Sequence, residues 1–447
     1  VEGKGHVFYR APRKKYPLAV RAEGVQIWDS EGQRYLDGAS GALVVNIGHG
    51  RKEIAEVMAE QAMKLCFAHT SQFTSGPQED LARILAEVSP GDLNRVYFLS
   101  GGSEAVEAGL KLARQYYVER GELSRYKAIG RWVSYHGNTL GALSVGGQSP
   151  RRRMYSPLLA PFPHIPAPYC YRCPFGQEYP GCGVRCADAL DDCIKREGPE
   201  SVAVFVAEPV VGASGGALVP PPEYYPRVRQ ICDRHGVLFM ADEVMTGFGR
   251  TGRMFAMEHW SVVPDMMCMG KGLGSGYTPL AGLMVRDEVH DTLLGGSGAF
   301  NHGHTYLGNP LSTAVGAAVV RIIREEGLAE RAWETGAYLR SLLGALQGRH
   351  ALVGDVRGLG LMLGLELVKD RKSKEPHRPE LRVSQRVTEA AFRRGLIVYP
   401  GSGADGGDQG DHLLVAPPLV TTRAEALEMV SILEDAIAGV EAEAGVA

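Results

Sequence analysis

Two side chains set 29 positions apart, Asp242 and Lys271, carry the most specific chemistry in this sequence. Asp242 closes an apolar run from Val237 to Ala241 and is followed by Glu243. That is the pattern of a buried strand with acids at its carboxyl end, the edge at which an open α/β sheet binds ligands. Lys271 has Met269 and Gly270 before it and Gly272 after it. Small and apolar neighbours leave an ammonium poorly solvated, which favours the neutral amine, and they let another group approach the backbone. Such an amine attacks aldehydes, and a fixed carboxylate can hold a cationic ring nitrogen; pyridoxal phosphate requires both. Taken singly, an acid at a strand end is usually a cap or a solvated turn, and a lysine a surface charge. The weight therefore rests on the pair together with the motifs around it.

Three of those motifs also sit where strands should end. An apolar strand, Val96 to Leu99, runs into Ser100-Gly101-Gly102-Ser103, and the following residues place Val106, Leu110, Ala113 and Tyr117 on one helical face. A strand, a glycine turn and a helix N-terminus together make an anion site, so Gly102 and Ser103 are assigned to a phosphate. A plain helix cap by Ser103 is the competing reading. The run Trp132 to Ser134 predicts a strand ending in Tyr135-His136-Gly137, where an aromatic ring can stack on a pyridine ring. Val202 to Ala207 predicts another, ending in Glu208-Pro209.

The block ADEVMTGFGRTG, followed by Lys271, resembles the class III pyridoxal-phosphate aminotransferases, also called the omega-aminotransferase group. The resemblance runs from about Gly24 to the C-terminal helix. It implies an α/β fold of type I, with a large domain built on a mostly parallel, seven-stranded sheet flanked by helices and a smaller α+β domain from both chain ends. The expected division is residues 1–60 and 331–447 for the small domain and 61–330 for the large one. The resemblance implies that Lys271 holds the cofactor as a Schiff base and that Asp242 keeps its ring nitrogen protonated. Tyr135 and Val244 would pack on opposite ring faces, Glu208 would lie near the cofactor's hydroxyl, and Gly102 and Ser103 would hold its phosphate. The turn NHGHTY, residues 301–306, matches one whose threonine reaches the partner subunit's cofactor phosphate. Thr305 thus implies a homodimer, with a dimer of dimers left open.

The implied activity transfers an amino group from an amine or omega-amino acid to a keto acid such as pyruvate. It proceeds by a ping-pong sequence in which the cofactor passes through its pyridoxamine phosphate form. An aminomutase or a decarboxylating transaminase would use the same cofactor residues. A serine hydrolase is the more distant alternative, because Gly212-Ala213-Ser214-Gly215-Gly216 satisfies G-x-S-x-G. That motif needs a helix directly after the serine, and Leu218-Val219-Pro220-Pro221-Pro222 follows instead.

Two departures from the family pattern bear on substrate choice. Leu43, in the segment 40–50 that matches a pocket-lining loop, stands where aryl-amine enzymes often carry an aromatic residue, so a wider pocket is expected. Leu414, before the pair Pro417-Pro418, stands where members acting on amino acids carry an arginine, and residues 401–410 contain no arginine either. Either another side chain such as Arg152 or Arg153 reads a substrate carboxylate, or one substrate has none.

Positioning these residues requires elements of both kinds, and the chain alternates their signals. Residues 24–39 read as a hairpin around Ser30-Glu31-Gly32, and 51–64 as an amphipathic helix with Ile54, Val57, Met58 and Ala62 on its apolar stripe. Helices are also predicted at 77–88, 309–326, 329–346 and near 382–394. Buried strands are predicted at 279–285, within 355–367 and at 396–399. Thr422 and Glu425 form a capping box for a last helix. Gly358-x-Gly360 with Gly364 is one residue out of register for a dinucleotide fingerprint, and no helix opens there.

At 447 residues the chain exceeds a single-core domain, and its 45% hydrophobic and 22% charged residues are ordinary for a globular protein. A formal net charge of -3 provides no field to recruit nucleic acid or an anionic membrane. With no apolar run of membrane-spanning length and no signal peptide visible, a cytoplasmic enzyme acting on small molecules is the expectation. Of eight cysteines, Cys170, Cys173, Cys182 and Cys186 cluster in a C-x2-C-x8-C-x3-C loop. A structural metal, disulfides and free thiols all remain open for that cluster, with no metal expected at the active site.

Overall fold

The computed structural model describes residues 6–405 and 407–444. Its centre is a seven-stranded sheet. The strands outside and inside it are, in chain order, β1 (Ala19–Glu23), β2 (Gln26–Asp29), β3 (Arg34–Asp37), β4 (Leu93–Leu99), β5 (Lys127–Arg131), β6 (His164–Ile165), β7 (Val202–Ala207), β8 (Leu238–Asp242), β9 (Met266–Met269) and β10 (Ala281–Arg286). The central order is β4-β10-β9-β8-β7-β5-β6. Only β10 runs against its neighbours. Parallel strands need crossovers that cover both faces, and the residues respond accordingly. All six positions of β7, VAVFVA, are buried, as are all five of β8.

Because six strands point the same way, the carboxyl ends of β4, β5, β7, β8 and β9 come together along one edge. There they deliver Gly101-Gly102, Tyr135, Glu208, Asp242 and Lys271. A crossover helix, Gly102–Glu119, starts directly after β4 and lays Val106, Leu112, Ala113, Tyr116 and Tyr117 against the sheet, while Leu110 is only partly covered.

Two four-stranded sheets flank this core. One has the order β1-β2-β3-β13, in which β13 (Leu396–Ile397) pairs with β3 in parallel, so both ends of the chain share a sheet. The other is formed by β11 (Val353–Leu359), β12 (Met362–Leu367), β14 (Tyr399–Gly401) and β15 (His412–Val415), ordered β11-β12-β15-β14. The helices Leu328–Arg349, Val383–Arg393 and Arg423–Ala444 pack on the C-terminal strands. The last begins with the expected box: Glu425 N-H donates to Thr422 Oγ1 (3.2 Å) and Thr422 N-H to Glu425 Oε2 (2.8 Å). Among the described residues no helix is long and apolar enough to cross a membrane.

Several local expectations shift. The strand expected at 132–134 ends at Arg131, and Val133 takes a left-handed φ of 55° that turns the chain toward the site. In the helix Lys52–Lys64 the buried positions are Ile54 and Gln61, and Ala62 is exposed. Gly358 and Gly360 sit at a β-hairpin, where a Cβ on Gly360 would lie 2.5 Å from the main chain of Thr251. Close packing accounts for that glycine, and no nucleotide is needed.

Candidate active site

A cavity of about 160 Å³ opens at the carboxyl edge of the central sheet. Its wall is made by Gly102, Ser103, Tyr135, His136, Gly137, Glu208, Asp242, Val244, Met245 and Lys271. Seven residues singled out from sequence, Gly102, Ser103, Tyr135, Glu208, Asp242, Val244 and Lys271, thus line one space. Thr305 does not; it lies exposed in a turn after His304.

Asp242 is 4% exposed and ends β8. Its Oδ1 accepts from Val244 N-H (3.1 Å), which holds Val244 over the cavity, and its Oδ2 lies 2.7 Å from His136 Nδ1. A carboxylate has no proton to give, so the imidazole donates. The fold makes His136 the partner that orients the acid. Its Nε2 is buried, with no hydrogen-bond partner among the described residues. Among the described residues no lysine or arginine pairs with Asp242.

Lys271 follows β9 with φ 45°, a left-handed conformation disfavoured for a side-chain-bearing residue. Desolvation lowers its ammonium to about 8; Asp242 and Glu208 pull the other way, while Arg151 and Arg250 add to the lowering. Glu208 is 3% exposed, and burial raises its pKa. Its oxygens accept from Tyr135 N-H (2.9 Å) and Gly212 N-H (2.8 Å), so the acid ties the Tyr135 loop to β7.

The helix at Gly102 presents its first N-H groups to the cavity, since the first bond into the turn is Ala105 N-H to Gly101 O. Ser103 is not a cap. Its Oγ donates to Asn138 Oδ1 (3.2 Å) and accepts from Asn138 N-H (3.1 Å), while Glu104 takes the N-H groups of Ser100 and Gly101. A Cβ on Gly102 would lie 2.9 Å from Val244 Cγ1, and one on Gly137 would lie 2.4 Å from Ser103 Oγ. At φ 134° Gly137 also takes a backbone form that a side chain would strain. The two glycines keep the cradle open.

Two buried arginines that the sequence did not flag hold these pieces in place. Arg131 donates to Glu208 O (2.5 Å) and to Tyr225 Oη (3.3 Å), fixing the main chain behind Glu208. Arg250 donates to Leu361 O (3.1 Å), Pro417 O, Ser40 Oγ (3.2 Å) and Asn46 Oδ1 (2.7 Å). It thereby pins the 40–50 loop and the Pro417-Pro418 segment to the motif after β8. Burial lowers its pKa to about 9. Both lie in apolar or glycine-rich strings whose local pattern carries no sign of such distant partners.

Packing bears on several other expectations. Leu43 and Leu414 are fully buried in one apolar cluster with Met245 and Ala416, so they stand behind the cavity wall and do not line it. Arg152 is not available to a substrate: it donates to the main-chain oxygens of Leu143 (2.7 Å), Ser144 (2.7 Å) and Gly146. Arg153 is exposed and paired with Asp408 (2.7 Å). Ser214 is fully buried in a turn, and among the described residues its Oγ has no hydrogen-bond partner, so no base is bonded to it. The cysteine loop carries four free thiols. Burial and the neighbouring thiols push Cys186 up to about 12. The loop is clasped instead by Glu366, which accepts from Tyr169, Arg172 and Arg357.

Comparison with known proteins points the same way. Residues 9–437 match the family "Aminotransferase class-III". The chain is 44% identical over 426 residues to an uncharacterized aminotransferase, YodT, of Bacillus subtilis, covering 95% of this chain and 96% of the relative. It is 38% identical to a putrescine–pyruvate aminotransferase of Pseudomonas aeruginosa, over 93% and 89% of the two chains. The PLP-bound amine transaminase of an uncultivated Pseudomonas species superposes with a TM-score of 0.90 at 37% identity, covering 98% of both chains.

Proposed function

This chain belongs to the class-III aminotransferases, a pyridoxal-phosphate-dependent family of fold type I, and from that premise we propose that it moves an amino group from an amine or omega-amino acid to a keto acid such as pyruvate in a ping-pong sequence. The observation that carries the reading is the meeting of Lys271 with an acid held by histidine, Asp242, in one cavity.

The residues suit the cofactor. Asp242 is a buried carboxylate that pairs with no lysine or arginine among the described residues, which matches a cationic ring nitrogen. The N-H groups at Gly102 and Ser103 match a phosphate, and Tyr135 and Val244 offer flat and apolar contact for a ring. When bound, pyridoxal phosphate supplies an aldehyde that captures amines and a ring that accepts the electron pair left on the substrate carbon. Lys271, lowered toward neutrality, is the amine that attaches it and, once released, the base that takes the proton from the substrate carbon and returns it. Asp242 keeps the ring nitrogen charged, and His136 keeps Asp242 pointed at it. Glu208 fixes the loop that carries Tyr135 and faces the cavity beside it.

A second copy of the chain completes the proposal. Met63, Phe67, Phe73 and Tyr306 are exposed apolar side chains, with Phe67 edge-on to Tyr306 at 6.1 Å. Phe67 and Tyr306 stand beside the turn that carries Thr305. Isologous pairing would cover them and bring Thr305 to the other subunit's phosphate site. The test is a panel of amines with pyruvate and 2-oxoglutarate as competing acceptors, read by ketone formation. Activity with simple amines and pyruvate is expected, and it should vanish with the visible cofactor absorbance in Lys271→Ala. A Lys271→Ala protein that turns over normally would falsify the assignment.

A further inference from the structure

The short helix Ser149–Arg152 and the residue after it carry three consecutive arginines, and the fold treats them differently. Arg152 is consumed by three main-chain oxygens and Arg153 by Asp408. Arg151 is half-buried, and among the described residues its guanidinium has neither a carboxylate nor a hydrogen-bond partner. Its guanidinium carbon lies 4.3 Å from the centroid of the Tyr135 ring, a residue of the cavity wall. The helix is held at this place from the C-terminal side: Gln148 Nε2 donates to Ser402 O (3.3 Å), Arg153 grips Asp408, and Pro150 packs against Gly403. This is the 401–410 loop, which precedes the position where family members acting on amino acids carry an arginine and this chain carries the buried Leu414.

A half-buried guanidinium resting on an aromatic face keeps its planar fork of N-H donors directed outward and is only weakly hydrated, which suits bidentate capture of a carboxylate. Its charge also reaches Lys271, where it adds to the lowering of the ammonium.

We propose that Arg151 is the residue that binds the carboxylate of the keto-acid acceptor. The proposal rests on the aminotransferase reading above. It assigns the two half-reactions to different recognition: a carboxylate-free amine enters on shape and apolar contact, whereas the acceptor needs Arg151.

Arg151→Ala and Arg151→Lys are to be compared with the parent in the cofactor-loaded enzyme. The two half-reactions are followed separately by absorbance, with a simple amine as donor and pyruvate as acceptor, and propionate binding is measured by calorimetry at fixed ionic strength. Loss of one charged hydrogen-bonding contact predicts a roughly 10- to 100-fold fall in kcat/KM for pyruvate in Arg151→Ala, mostly through KM. The amine half-reaction should stay within about threefold, because a contact not made to the donor costs it little. Propionate binding should weaken by a similar factor, and Arg151→Lys should recover part of both effects. Equal loss in both half-reactions, unchanged propionate binding, or loss of cofactor retention in Arg151→Ala would each overturn the assignment. A parent enzyme that binds propionate through Arg151 but reacts with no amine would instead overturn the aminotransferase reading and leave the carboxylate site standing.

Discussion

Replacing Asp242 with Asn tests the electrostatic core of this site at nearly constant shape. The asparagine Oδ1 can still accept from Val244 N-H, and its amide still fills the space beside His136, which needs only to exchange tautomers to accept. What disappears is one negative charge in a position that is 4% exposed. An ion pair at about 4 Å in an effective dielectric near 20 is worth roughly 4 kcal/mol, which corresponds to about three decades in rate if the cationic ring is stabilised only by that charge. Stopped-flow measurement of each half-reaction should therefore show a fall of about 10³-fold. The thermal midpoint should change little, since no packing is lost. A second readout is independent of the first. Asp242 raises the Lys271 ammonium against desolvation, so Asp242→Asn should move the lysine titration below about 8 and shift the acid limb of the pH-rate profile downward. An Asp242→Asn enzyme within tenfold of the parent rate, with an unmoved pH limb, would refute the reasoning.

Two further outcomes follow from the same geometry. The neutral amine of Lys271 captures the aldehyde, and its share grows as pH rises through about 8. Uptake of pyridoxal phosphate by the apoprotein should rise steeply from about pH 6 to about pH 8 and level off above. An ordinary lysine at 10.5 would keep climbing beyond pH 9 and be about 300-fold slower near neutrality. Arg250→Met keeps the apolar stem but strips donors from Leu361 O, Pro417 O, Ser40 Oγ and Asn46 Oδ1. Relief of a buried cation offsets part of that loss, leaving a net cost of roughly 2–4 kcal/mol, to be read as a lower urea midpoint. A midpoint at or above that of the parent protein would contradict the pinning role.

The residues that line the cavity were legible because each sits within a few positions of a strand end, where a local string of apolar, small and polar residues already reports its place. Asp242 after Val237–Ala241 and Glu208 after Val202–Ala207 are such cases. The supporting contacts were not legible. His136 acts through an acid 106 positions away, and Arg250 through groups 111 to 210 positions away. No short window registers partners that the topology alone brings near. The same holds for the substrate side. Leu43, read as a pocket position, and Leu414, read as standing in place of an arginine, are sealed together in the core. Of three adjacent arginines, only packing separates one that rests on Tyr135 from one spent on carbonyls.

By itself the sequence determined which chemistry is present: an amine in a setting of small residues, an acid closing a buried strand, and a glycine turn opening a helix. Those are properties of a residue and its immediate neighbours. Tertiary structure alone decided who faces whom. Six co-directed strands bring five separate loops to one edge, and burial there sets the charge of Lys271 and Glu208. Charge and orientation depend on what surrounds a group in space, and that environment comes into being only when distant segments close around it.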